Sequence, residues 1–115
     1  MIDPKLIPIV AARFKALGDP GRLTILQALA EGERSVSELV EVTGRSQPNV
    51  SQNVGALARV GFVSARREGN RVFYAIADPY VARICQAVCD GLLKQMRQEQ
   101  ALVGLAPRAA RKRNK

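Results

Sequence analysis

Between Ser35 and Gly61 the chain reads as two short helices joined by almost nothing. Ser35-Val36-Ser37-Glu38 has the S-x-x-E spacing of a capping box, in which serine hydroxyl and glutamate carboxylate each take an orphan amide. A helix is therefore predicted from Val36 to about Val42, burying Val36, Leu39 and Val40. Gly44 supplies the left-handed residue that ends it. Only Gly44 and Arg45 intervene before Ser46 caps a second helix, Gln47 to about Val60, closed by Gly61. Two helices so tightly joined, with glycine in the turn, form a helix-turn-helix. That junction constrains the fold more than any other stretch.

The flanks agree with it. Ile7, Val10, Phe14 and Leu17 recur at helical spacing in a first helix, Leu6 to Leu17, with Pro8 tolerated in its first turn. Asp19-Pro20 is a cap-plus-proline helix start, and Leu23, Leu26, Leu29 and Ala30 give the second helix an apolar face. After Gly61 the period changes. Phe62 to Arg67 and Arg71 to Ala77, rich in Val, Phe and Tyr, flank Glu68-Gly69-Asn70 and read as a β-hairpin. Asp78-Pro79 opens a last helix carrying Val81, Ile84, Cys85, Val88, Cys89, Leu92 and Met96 as one stripe. The expected fold is mainly α with a β-hairpin, in the order α-α-α-α-β-β-α, a winged helix-turn-helix. Residues 1–100 form one domain, and residues 101–115 read as a disordered basic tail.

Composition removes most other functions. A chain of 115 residues supports one modest core. It contains no His, and no G-x-S-x-G, P-loop or Rossmann fingerprint, so an enzyme is not expected and no cofactor is required. No apolar run approaches the roughly 18 residues of a membrane span. MIDPKLIPIVAARFK lacks the pattern of a secretory signal, and two cysteines four apart are no disulfide framework. A cytoplasmic protein is expected. The formal charge of +8 favours a polyanionic partner. Much of it sits in Arg108, Arg111, Lys112, Arg113 and Lys115, so charge alone cannot identify a nucleic-acid binder.

The second helix of the pair is more informative. At about 100° per residue, Val50, Val54 and Leu57 share a core-facing sector. Pro48, Ser51, Gln52, Gly55 and Arg59 fall opposite, with Asn49 and Ala56 on a flank. A helix entering the major groove needs such a small, non-anionic leading face, where Gln or Asn pairs with adenine and Ser with a base or phosphate. Ser46, Pro48, Asn49, Ser51, Gln52 and Arg59 are therefore candidate contacts to double-stranded DNA. Gln47, which the wheel puts nearer the core sector, joins them only by its place in the first turn and by the resemblance given below. Arg66, Arg67 and Arg71, beside the hairpin tip, suit phosphates or a narrow minor groove. The bland alternatives are a solvated helix face and edge strands made positive against aggregation.

LGDPGRLTIL, SQPNVSQNVGALARVGFV and REGNRVFYAI resemble the ArsR/SmtB winged-helix repressors, over about residues 14–96. The resemblance implies a homodimer on a palindromic operator, released by an inducer. It places base reading on Gln47, Ser51 and Gln52, with Pro48 at the interface. Apolar surface left over on the first and last helices is where two copies would pair, setting two recognition helices about 34 Å apart.

The family's inducer sites are not intact here. Its C-x-C pair falls on Ser35 and Ser37, its D-x-H…H-x2-E set on Asp78, Tyr80, Gly91 and Lys94, and its early redox cysteine near Gln27. Cys85 and Cys89 remain, one turn apart on the last helix. They are a candidate thiol site for arsenite, mercury, an oxidant or a reactive sulfur species. The alternative is that both cysteines only pack, in a regulator or interaction module without thiol sensing.

Overall fold

The computed structural model describes residues 1–102. After a 3₁₀ turn at Pro4–Leu6 come α1 (Ile7–Leu17), α2 (Pro20–Leu29), β1 (Arg34–Ser35), α3 (Val36–Thr43) and α4 (Gln47–Arg59). β2 (Val63–Glu68), β3 (Arg71–Ile76) and α5 (Pro79–Leu102) complete the order. This is a winged helix-turn-helix: mainly helical, with a small antiparallel sheet. The chain divides into two units, Met1–Pro79, which holds α1 to α4 and the sheet, and a second from Tyr80, which holds nearly all of α5.

Local chemistry sets the helix boundaries. Asp19 Oδ2 accepts the Arg22 amide at 3.0 Å and starts α2. Ser35 and Glu38 complete a reciprocal capping box at α3: Ser35 N–H donates to Glu38 Oε1 at 2.8 Å, and Glu38 N–H to Ser35 Oγ at 3.2 Å. Gly44, at φ 72°, ends α3 in the left-handed region that a side chain would strain. Two residues later Ser46 Oγ accepts the Asn49 amide and opens α4.

The sheet order is β1-β3-β2, antiparallel throughout. Val63 pairs with Ile76 and Glu68 with Arg71, so the hairpin loop is the two residues Gly69 and Asn70. Gly69 takes φ 63° while Asn70 stays negative, the pattern of a II′ turn. β1 was not anticipated. Its two residues carry no alternation of their own and are strand only because β3 pairs with them, Arg34 with Tyr74 and Ser35 with Phe73.

Ile25, Leu26, Leu29, Leu39, Val50, Val54, Leu57, Phe62 and Val63 are buried and form the core beneath α4. Each such side chain contributes roughly 1.5–3 kcal/mol by leaving water. Two expectations for α2 fail: Leu23 is 42% exposed and Ala30 is exposed, while Ile25 and Ala28 are buried instead. The reason is that α2 packs against α3, α4 and β3 together, which rotates its buried stripe toward Ile25 and Leu29. On α3 only Leu39 is fully buried, with Val36 and Val40 half-buried. In α1 only Ala16 and Leu17 are buried; Ile7 and Phe14 stand half in water. Along α5, Val81 is buried, Ile84, Cys85 and Met96 are half-buried, and Val88, Cys89 and Leu92 are exposed. The basic tail lies outside the described residues, except that α5 continues through Ala101 and Leu102.

Candidate nucleic-acid interface

The N-terminal half of α4 is presented outward. Ser46, Gln47, Pro48, Ser51 and Gln52 are all exposed, and no acidic residue sits in the first turn. Among the described residues, the side chains of Gln47, Ser51 and Gln52 have no hydrogen-bond partner, so their donors and acceptors are free for a ligand. The helix dipole and free amides at this end favour an anion. Gln47 is exposed although the helical wheel put it nearer the core. Arg59 is exposed at the far end of the helix.

Asn49 differs from its neighbours. It is half-buried, and its Oδ1 accepts from Arg45 Nη1 at 3.2 Å and from Asn53 Nδ2 at 3.0 Å. Asn53, only 6% exposed, was not among the sequence candidates. It lies beside the Val50-Val54-Leu57 sector of the wheel, and a polar residue there was the available signal.

The wing arginines separate into two kinds. Arg66 forks onto Glu33 with bonds of 2.7 and 3.0 Å and reaches Glu68 Oε2 at 2.7 Å. Arg71 Nη2 donates to Ser35 Oγ at 3.1 Å and lies 4.0 Å from Glu38 Oε1. Both guanidinium groups stand 4.9 Å from the Phe73 ring centroid. The Arg66 hydrogen bond holds the Glu33 carboxyl below its ordinary range, and bonds from Ser35, with the Arg71 charge behind them, do the same for Glu38. Such exposed pairs add little stability one by one. Together they order the wing and leave Arg66 and Arg71 largely engaged with the chain itself. Arg67 is exposed and, among the described residues, makes no side-chain hydrogen bond or ion pair. Glu33 was missed because its partner is 33 residues away.

On α5, Cys85 is half-buried and Cys89 exposed, and both are free thiols. Burial pushes the Cys85 thiol up, which lowers its thiolate fraction. Arg83 lies 5.3 Å over the Tyr80 ring, a cation–π contact. No group of three or more His, Cys, Asp or Glu among the described residues is placed to hold a metal ion.

The model of the bacterial regulatory proteins of the arsR family matches residues 19–65, from the cap of α2 into β2. The HTH-type transcriptional regulator Rv0081 of Mycobacterium tuberculosis is 39% identical over 104 residues, covering 90% of each chain. The chain belongs to the arsR family. It is thus a DNA-binding transcriptional regulator and not an enzyme. The crystal structure of Rv0081 superposes with a TM-score of 0.70, covering 87% of this chain and 99% of that one. The arsR-family likeness extends to a probable mercury resistance operon repressor of Streptomyces lividans, 49% identical over 76 residues. That match takes in 65% of this chain and 61% of the relative, so the chain spans less than two thirds of that repressor. It extends also to the homodimeric winged helix-turn-helix DNA-binding domain of Mb0332 from Mycobacterium bovis, solved by NMR. There the identity is 42% and the TM-score 0.71, over 83% of this chain and 93% of that one. No helix among the described residues is long and apolar enough to cross a membrane.

Proposed function

We propose that two copies of this chain pair through the apolar faces of α1 and α5 and repress transcription from the cytoplasm by occupying a pseudo-palindromic operator. The observation that carries this reading is the outward, unpartnered set Gln47, Ser51 and Gln52 on the capped half of α4. Gln47 and Gln52 suit bidentate pairing with adenine, and Ser51 a base edge or a phosphate. Ser46 and Pro48 bring the backbone of the first turn close to the duplex. Arg59 and Arg67 supply phosphate contacts, with Arg66 and Arg71 holding the wing that presents Arg67. The homodimeric Mb0332 domain supports pairing.

Gln52→Ala is expected to cost roughly 1–3 kcal/mol of discrimination between duplexes while leaving binding to a scrambled duplex intact. Arg67→Ala should weaken binding to both duplexes alike and reduce the salt slope by about one ion. Anisotropy titrations at several salt concentrations measure both. A reversal, with Gln52→Ala uniform in effect and Arg67→Ala selective, removes the major-groove assignment for α4.

The sensing element in this reading is Cys85 with Cys89, which lie on one face of α5 with Cβ atoms about 5–6 Å apart by helix geometry. Two sulfurs suit a soft ion content with two ligands, such as mercury, better than arsenite, which needs a third from the other copy. A mercury-resistance relative is consistent with that preference. The raised Cys85 thiol makes an oxidant the poorer inducer. The same observation, with the absence of a three-ligand group among the described residues, favours a second reading in which the cysteines sense nothing. Cys85→Ser and Cys89→Ser decide between them. The sensing reading expects mercuric ion to release wild-type protein from its operator and neither variant, whereas equal release of all three leaves the cysteines structural.

A further inference from the structure

We infer that Arg45, Asn49 and Asn53 form a polar key that seats α4 against the start of α2, with Gly21 as the slot that admits it. This seating governs which bases the leading face of α4 reaches, and so rests on the reading of α4 as the recognition helix.

Gly21 is the second residue of α2, in the first turn after Asp19 and Pro20. It is not among the glycines with positive φ, so its backbone does not call for glycine, and helix propensity alone favours alanine there. The space above it does call for glycine. A Cβ at Gly21 would stand 2.7 Å from Arg45 Nη1, 2.8 Å from Asn53 Nδ2 and 3.0 Å from Asp19 Oδ2. Polar atoms from the turn, from α4 and from the cap of α2 thus converge over one bare Cα. Both donors also reach the same acceptor, Asn49 Oδ1. Arg45 is long and half-buried and has room to swing aside; Asn53 is buried and does not.

An added methyl therefore pushes on α4 itself. The turn that Asn49 locks is the one that carries Gln47, Ser51 and Gln52. Paired hydrogen bonds to a base edge weaken steeply with misalignment, so a small shift of this helix degrades discrimination before it degrades phosphate contact. Asn49, expected from sequence to touch DNA, becomes a positioning residue, together with Arg45 and Asn53.

The test begins by enriching duplexes from a random library with the full wild-type chain. The best duplex and its scrambled counterpart then serve as anisotropy probes. Gly21→Ala is expected to lower the ratio of the two affinities about tenfold, with scrambled-duplex binding and salt slope unchanged. In an Asn53→Ala background, Gly21→Ala should cost little further, because the unyielding Asn53 amide is gone and the Arg45 guanidinium left over the slot can swing aside. Asn49→Ala and Asn53→Ala should likewise fail to multiply, which covers the case of a Gly21→Ala chain that does not fold. An unchanged ratio in Gly21→Ala, or losses from Asn49 and Asn53 that multiply as independent contacts do, overturns the key. A wild-type chain that enriches no duplex overturns the recognition-helix reading first, and the key with it, a result distinct from either of those.

Discussion

Replacing Val88 with aspartate is expected to turn a two-half-site DNA binder into a one-half-site binder. Val88 is 66% exposed and Leu92 53% exposed on α5, with Leu93 beside them. A helix of 24 residues that shows this much branched aliphatic surface to water gains most by covering it with a second copy. A carboxylate in the middle of such a face is costly to strip of water, so it opposes pairing. Loss of the second recognition helix removes the gain from linked binding, and operator affinity should fall by about 10²- to 10⁴-fold. Sedimentation of the variant should give a monomer mass where wild type gives a dimer, and half-site binding should survive at high protein concentration. A variant that sediments and binds like wild type excludes this face as the contact between copies.

Phe62→Ala should be the most damaging single truncation within the winged unit. The ring is 1% exposed, directly after the glycine that closes α4, and the Arg13 guanidinium lies 5.5 Å from its centroid. Its amide donates to the Leu57 carbonyl at 3.0 Å and its carbonyl accepts from Ala77 at 2.9 Å. Those backbone bonds hold the end of α4 to the end of the sheet, and alanine would keep them over an unfilled volume. The cost of such a cavity is about 3–5 kcal/mol, against a typical total of about 5–15 kcal/mol for a domain. Urea denaturation should therefore show a much lower midpoint at unchanged slope. A loss under about 1 kcal/mol would mean that the neighbours collapse into the space.

What could be read from sequence was what neighbouring residues decide among themselves. The Ser35–Glu38 box, the Asp19 and Ser46 caps and the left-handed Gly44 each depend on residues within four positions, and each is where spacing put it. The core face of α4 was legible because Val50, Val54 and Leu57 leave no other solution. On α2 periodicity gave the width of the apolar stripe but not its centre, which three packing partners set at Ile25. β1 could not be seen, since Arg34 and Ser35 are strand only through Tyr74 and Phe73. The wing arginines looked alike as letters. Their division into engaged Arg66 and Arg71 and free Arg67 depends on Glu33 and Ser35, more than thirty residues away.

Ser35 serves several masters at once. It belongs to β1 opposite Phe73, its hydroxyl starts α3, and the same oxygen takes the guanidinium of Arg71 from the wing. The hairpin and the helix-turn-helix are thereby geared to one another at a single buried side chain. A tilt at the start of α3 therefore pulls on the hydrogen bond that joins it to the wing. On the reading proposed above for α4 and the wing, their two sets of duplex contacts are expected to disengage in concert rather than in sequence.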